Sequence, residues 1–284
     1  MTLGEMRRWL ESRGIQLTKS LGQNFLHDGN QLRRIVAAAA LGPDDRVLEI
    51  GPGLGPLTEL LLQTAGRVTA VELDERLVAI LRERFAATSR LELIHADALA
   101  WLRESPRAWS DTKLVANLPY SVGSPIVVEL ALAPAPPDRM VVTLQWEVIQ
   151  RLLAAADSEH YGLMTLLVAA QFEAGEWFKI PSSCFHPAPE VDSACLLLRR
   201  RREPLVPAEV LPTYVRAAKQ SFSQRRKMMR KLLTAAWAAP AVDAALQAAG
   251  IPSDARAETV DPPRFATLAM HLARVGRVFN EPYA

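Results

Sequence analysis

Apolar positions along this chain alternate between two rhythms. Short apolar runs at 47–50, 68–73, 91–95, 114–116 and 140–144 are bounded by Gly, Pro, Asp or Asn and read as strands. Most of the stretches between them repeat apolar residues at helical spacing. Strand and helix taken in turn are the pattern of a doubly wound, mostly parallel α/β sheet. Two further runs, around 170–180 and at 193–198, are joined by a loop holding Pro181, Pro187 and Pro189. That loop is too short for a crossover helix, so these two strands are expected to pair antiparallel. Ahead of the sheet, Met6, Trp9 and Leu10 share one face of a short helix, with Gly14 as its stop.

Past the run Arg199-Arg200-Arg201-Arg202, Pro204 and Pro207 interrupt the pattern, and alanine-rich helical stretches follow. A boundary near residue 204 is expected, dividing a sheet-containing domain at 1–203 from a smaller all-helical domain at 204–284. Charge sharpens that division. Residues 199–231 hold eleven Lys or Arg against two Glu, a surplus of +9 in a chain whose net charge is +2, so the remainder carries −7. A basic segment on an acidic body is an electrostatic footprint for a polyanion such as nucleic acid, although a solvated helix face would look the same. Val215, Ala218, Phe222, Met229 and Leu232 are expected on one face of a helix, leaving Arg226, Lys227 and Arg230 on the others. No apolar run approaches the roughly 18 residues of a membrane span, and the first helix carries charges where a secretory leader would be apolar. A cytoplasmic protein without membrane contact is expected. Cys184 and Cys195 have neither the spacing nor the histidine partners of a zinc site, so no metal is expected.

The chemistry gathers at the ends of the strands. Asn117-Leu118-Pro119-Tyr120 follows the fourth run directly, where open α/β sheets bind their ligands, and an amide, a ring-locked turn and an aromatic suit a planar base with an exocyclic amine. After the first strand, Glu49-Ile50-Gly51-Pro52-Gly53-Leu54-Gly55 leads into a helix. Its GxGxG spacing, with Pro56 next, departs from the dinucleotide GxGxxG and favours a nucleoside without phosphates. Glu72 ends the second strand, where a carboxylate accepts from both ribose hydroxyls. Asp97 ends the third, where it could accept from an adenine amine or simply cap a helix.

Together with Lys19 to Leu26, Val71-Glu72-Leu73-Asp74, the segment 185–194 (FHPAPEVDSA), Phe222-Ser223-Gln224-Arg225-Arg226-Lys227 and Gly250-Ile251 through Glu258, these motifs resemble the class I S-adenosylmethionine-dependent methyltransferases. Among those, the chain is similar to the small-subunit ribosomal RNA adenine N6,N6-dimethyltransferases of the KsgA type. The resemblance runs from about residue 15 to 275. It implies a Rossmann-like fold with a seven-stranded, mostly parallel sheet and an antiparallel last strand, and S-adenosylmethionine as methyl donor. It further implies that Gln23, Asn24 and Leu26 close over the cofactor, Gly51 and Gly53 lie beside its amino-acid part, Glu72 holds its ribose, Asp97 its adenine, and Asn117 borders both ligands. Trp146 stands where such proteins usually have lysine, Ser121 where asparagine is common, and Lys231 where the basic helix often has asparagine.

Adenine N6 is a weak nucleophile because its lone pair is delocalised into the ring. The Asn117 side-chain carbonyl and the Leu118 backbone carbonyl are expected to take one N6 hydrogen each, with Pro119 fixing the backbone between them. Tyr120 and Phe185 are expected to stack on the extruded base, and Arg225, Arg226, Lys227 and Arg230 to meet phosphate. The implied activity is dimethylation of two adjacent adenosines in the 3′-terminal hairpin of small-subunit (16S) ribosomal RNA, by a monomer acting on the immature small subunit. The alternatives are a large-subunit ribosomal RNA adenine methyltransferase of the antibiotic-resistance type, a DNA adenine methyltransferase, and a ribosome-assembly factor that binds RNA without catalysis.

Overall fold

The strand-like runs become one seven-stranded sheet. The computed structural model describes residues 1–16, 23–104 and 108–275; the motif residues Lys19 to Gly22 lie outside the described residues. In chain order the strands are β1 (Phe25–Leu26), β2 (Arg46–Ile50), β3 (Arg67–Glu72), β4 (Leu91–His95), β5 (Thr112–Asn117), β6 (Arg139–Gln145), β7 (Phe172–Ile180), β8 (Phe185–His186) and β9 (Ser193–Arg200). The helices are α1 (Leu3–Ser12), α2 (Gly29–Ala39), α3 (Pro56–Thr64), α4 (Glu75–Arg84), α5 (Ala98–Glu104), α6 (Gly123–Ala131), α7 (Trp146–Leu153), α8 (Leu163–Ala169), α9 (Leu211–Phe222), α10 (Met229–Leu233), α11 (Ala239–Ala248) and α12 (Pro262–Val275).

The sheet order is β4-β3-β2-β5-β6-β9-β7. The first five of these strands run parallel, and β9 pairs antiparallel with β6 through the register Gln145↔Ser193 to Arg139↔Arg199. β7 lies beside β9 at the sheet's edge, as the short proline loop requires. Because β2 is flanked by β3 on one side and β5 on the other, the helices that follow β2 and β5 leave the sheet in opposite senses. A crevice opens between them at the carboxyl ends. A two-residue ladder of β1 with β8, pairing Leu26↔Phe185 and Phe25↔His186, was not expected from the sequence.

Parallel strands covered on both faces must be apolar throughout, and Val47, Leu48, Ile50, Leu114, Val115 and Ala116 are all buried. On one face, α2 and α3 bring Leu32, Ile35 and Leu61 against Val47, Val115 and Val141. Truncating a fully buried residue there, such as Leu61, removes about 2–5 kcal/mol. α1 folds as its pattern predicts. Thr2 and Glu5 form a capping box, Met6 and Leu10 are buried, and Gly14 closes the helix at φ 59°. No helix among the described residues is long and apolar enough to cross a membrane.

The chain folds as two compact units, Met1–Ile149 with Ala174–Arg200, and Gln150–Glu173 with Arg201–Ala284. A single cut near residue 204 therefore misplaces residues 150–173, which pack with the helical unit. Within that unit Tyr214 Oη donates to the Leu166 carbonyl at 2.9 Å, and Tyr161 Oη to the Val260 carbonyl at 2.7 Å. The expected continuous helix across 215–232 is broken. Ser223 Oγ donates to the Gln220 carbonyl at 2.7 Å, diverting a helical acceptor at the end of α9, and the exposed stretch 223–228 precedes α10.

Glu49, on β2, is 1% exposed and accepts from Thr58 Oγ1 of α3 at 2.7 Å. Burial, reinforced by the neighbouring Glu72, pushes its carboxyl up to about 8. The folded state then holds a proton that the unfolded chain releases in the ordinary carboxylate range, so this group removes stability as pH rises from that range to about 8. Melting temperatures recorded across that window should fall less steeply for Glu49→Gln than for the parent, the gap widening with pH. Parallel profiles would contradict this placement of the proton.

Candidate active site

The carboxyl ends of β2, β3, β4 and β5 enclose a cleft lined by Gly51, Gly53, Glu72, Asp97 and Asn117. Its floor is the glycine loop between β2 and α3. Gly51 has φ 69° and Gly53 φ 61°, in the left-handed region, and neither has room for a side chain. A Cβ on Gly51 would lie 2.9 Å from Pro119, and one on Gly53 would lie 2.6 Å from the Phe25 ring. The loop is thus thin where it meets the tetrad and where β1 comes down over it.

Glu72 ends β3 and is 7% exposed. Its carboxylate accepts from the backbone N–H groups of Gly53 at 3.0 Å, Leu73 at 2.9 Å and Asp74 at 3.0 Å. Burial raises its pKa, and the three N–H groups pull the other way. Of about four acceptor positions on a carboxylate, three are occupied, leaving one for a hydroxyl in the cleft. Asp97 also lines the cleft while its Oδ1 caps the first turn of α5, accepting from Ala100 N at 2.9 Å. The cap engages one carboxylate oxygen and leaves the other without a hydrogen bond among the described residues. Between these acids, Leu73 is an aliphatic side chain left 48% exposed on the cleft wall.

The cleft's covering segment comes from Gln23, Asn24 and Phe25. Gln23 Nε2 donates to Asp74 Oδ2 at 2.9 Å, and the Asn24 carbonyl accepts from Asn117 Nδ2 at 3.2 Å. The second bond fixes the Asn117 amide, since its nitrogen is committed to Asn24. Its carbonyl oxygen, Oδ1, is buried and has no hydrogen-bond partner among the described residues. An orphaned buried acceptor is unfavourable by about 1–3 kcal/mol and marks a place where a ligand donor belongs. Leu118 gives its N–H to the Thr143 carbonyl at 3.2 Å, and the Pro119 carbonyl accepts from Val122 and Gly123, so the tetrad's backbone is rigid. Tyr120 Oη bonds Ser193 Oγ at 2.5 Å, and burial raises its phenol pKa.

Two expected site residues sit elsewhere. Leu26 is 2% exposed and Phe185 3% exposed; they face each other across the β1–β8 ladder inside the core with Leu32 and Ile35. Neither lines the cleft; Tyr120 lies beside it at the end of the tetrad and is not part of its lining. Period-two alternation puts Phe25, not Leu26, on the cleft side, and the same ladder turns Phe185 inward. The sequence reading missed Phe25 and Leu73. The signal for Leu73 was available, as the apolar residue that follows Glu72 and closes the run 68–73.

The basic segment is also sorted by the structure. Arg230 is held in a two-pronged ion pair by Asp243, at 2.5 and 2.8 Å, and Arg201 donates to the Ala169 carbonyl at 3.1 Å. Arg225, Arg226 and Lys227 are exposed, and their side chains make no ion pair or hydrogen bond among the described residues. Cys184 and Cys195 are free thiols, and no cluster of three His, Cys, Asp or Glu able to hold a metal occurs among the described residues.

The arrangement fits S-adenosylmethionine. Backbone at Gly51 and Gly53 would border the bound group, the acceptor position left on Glu72 would take a ribose hydroxyl, Leu73 would pack on a purine, and the uncapped Asp97 oxygen would face its amine. Comparison with known proteins agrees. The family model described as ribosomal RNA adenine dimethylase matches residues 14–274. Ribosomal RNA small subunit methyltransferase A of Magnetococcus marinus is 40% identical over 94% of this chain and 95% of its own. The protein of that name from Geobacillus thermodenitrificans is 38% identical over 98% of both. Among solved structures, the 23S rRNA methyltransferase ErmE is 32% identical, with a TM-score of 0.66 over 88% of this chain and 100% of its own. A dimethyladenosine transferase from Plasmodium falciparum shares the fold with a TM-score of 0.73 at 21% identity, over 89% of this chain and 98% of its own. The chain belongs to the ribosomal RNA adenine dimethylase family.

Proposed function

We propose that this enzyme dimethylates N6 of two adjacent adenosines in the 3′-terminal hairpin loop of small-subunit ribosomal RNA, as a cytoplasmic monomer acting on the immature small subunit. The observation that carries the chemistry is the buried, unpartnered Asn117 Oδ1 at the end of β5. It accepts one N6 hydrogen, and the Leu118 carbonyl accepts the other. With both hydrogens held, the nitrogen lone pair is drawn out of the ring system, and the positive charge that develops on N6 is stabilised by fixed dipoles. S-adenosylmethionine supplies an activated methyl group and its own leaving group. The protein's share is therefore positioning, and no side-chain base is needed; the N6 proton leaves to water after transfer. Tyr120, fixed by Ser193, gives one stacking face for the extruded base. Phe185 is not assigned the second, because its ring is buried. Asn117 Nδ2 stays with the Asn24 carbonyl, which keeps Oδ1 free for the target amine.

The small-subunit assignment is supported by curated relatives of that name aligned over nearly their full length. The likeness to ErmE supports a second reading, methylation of large-subunit RNA. Incubating the protein and labelled S-adenosylmethionine with separated immature subunits, then mapping the modified nucleotides, distinguishes the two. Dimethyladenosine at two adjacent positions near the small-subunit 3′ end is expected; label on large-subunit RNA alone would overturn the assignment.

RNA affinity should fall steeply with salt, with phosphates meeting Arg225, Arg226 and Lys227. Replacing all three with alanine should flatten the plot of log K against log salt by about 2 to 3 units. Arg230→Ala, whose guanidinium is engaged by Asp243, should change that slope less. An unchanged slope in the triple variant would move the phosphate contacts elsewhere.

A further inference from the structure

An aromatic and cationic cluster beside the tetrad has no part in the chemistry above. Trp146 opens α7, with its backbone N–H donating to the Asp192 carbonyl at 3.0 Å. Its indole lies 4.9 Å from that of Trp177 with the planes 34° apart, and Lys179 Nζ sits 4.7 Å from the Trp146 ring. Trp177 and Lys179 are alternate residues of β7, so both side chains leave the same face of the edge strand. Trp177 is nevertheless 45% exposed. An indole backed on one side by a second indole is already ordered, so a flat ligand stacking on its open surface loses little conformational entropy.

The cluster adjoins the catalytic end of the sheet. Gln145, the residue before Trp146, pairs in register with Ser193, and Ser193 Oγ holds Tyr120 Oη at 2.5 Å. One step along the chain thus separates the aromatic cluster from the pair that fixes the tetrad's own aromatic. Indole faces accept any base, and a neighbouring ammonium suits the phosphate that accompanies it. A membrane surface would call for a broad apolar face, whereas this is a single exposed ring with a cation beside it.

We propose that Trp177, braced by Trp146 and accompanied by Lys179, is a stacking subsite for an unpaired RNA base flanking the target adenosine. The proposal rests on the RNA-adenine reading of the Asn117 site. It extends the base's contact from the reacting nucleotide to its neighbour, so the enzyme grips two consecutive nucleotides of a loop rather than one.

The test uses the full-length protein, with Trp177→Ala, Trp177→Phe and Lys179→Gln. A short unstructured RNA oligonucleotide containing two adjacent adenosines is titrated while indole fluorescence is followed, and KM is measured on immature small subunits. Quenching on binding is expected in the parent. Trp177→Ala should weaken oligonucleotide binding about 5- to 150-fold, Trp177→Phe should recover most of it, and Lys179→Gln should lower the salt slope by about one phosphate. The loss on subunits should fall mainly on KM, with affinity for S-adenosylmethionine unchanged. Oligonucleotide binding by Trp177→Ala equal to the parent's would overturn the proposal, as would a loss that phenylalanine does not recover. Should the parent leave small-subunit adenosines unmodified while the oligonucleotide arm behaves as expected, the substrate assignment falls and the subsite stands.

Discussion

Three backbone N–H groups converge on the buried carboxylate of Glu72, and the cleft depends on that convergence. Gly53 reaches it from the loop after β2, while Leu73 and Asp74 reach it from the turn after β3. One side chain thereby joins two neighbouring strand ends and sets the distance between the glycine loop and the turn into α4. Burying a carboxylate is unfavourable unless its acceptors are filled, so the loop cannot drift without leaving a buried charge unsatisfied. Gly51 then packs on Pro119 and Gly53 on Phe25 with no room for a Cβ. The loop, the tetrad and the β1 segment are for this reason held as one rigid unit around a space that stays open.

Within that frame the tetrad inverts the usual rule for buried polar groups. Leu118 N–H, the Pro119 carbonyl, Asn117 Nδ2 and Tyr120 Oη all have partners. Among the described residues, Asn117 Oδ1 alone of the tetrad's side-chain polar atoms is buried without one. The bonds made by these neighbouring groups fix Oδ1 in direction. That is the preorganisation a reaction needs when positive charge grows on a nitrogen.

Much of this was legible in the sequence because it depends on local patterns. Strand positions followed from apolar runs, the crevice from alternating strands and helices, and the acids from their places at strand ends. Glu72 and Asn117 both fell where the pattern put them. What escaped depends on pairing between distant segments. The β1–β8 ladder joins residues about 160 positions apart and decides that Phe25 faces the cleft while Leu26 and Phe185 turn inward. Residues 150–173 belong with the helical unit because Tyr161 and Tyr214 bond across it, which no local pattern reveals. Arg230 looks identical in sequence to Arg226, and only its meeting with Asp243 separates an engaged guanidinium from an exposed one.

Methyl transfer here depends on Asn117 Oδ1 acting on the target amine and not on the fold or the cofactor. Single-turnover methyl transfer by Asn117→Ala, set beside its affinity for S-adenosylmethionine by calorimetry, addresses that directly. Cofactor binding within a few-fold of the parent and transfer slower by roughly 100-fold or more is the expected result, the scale on which loss of one preorganised transition-state contact is felt. Transfer at a near-parental rate would contradict the role given to this oxygen.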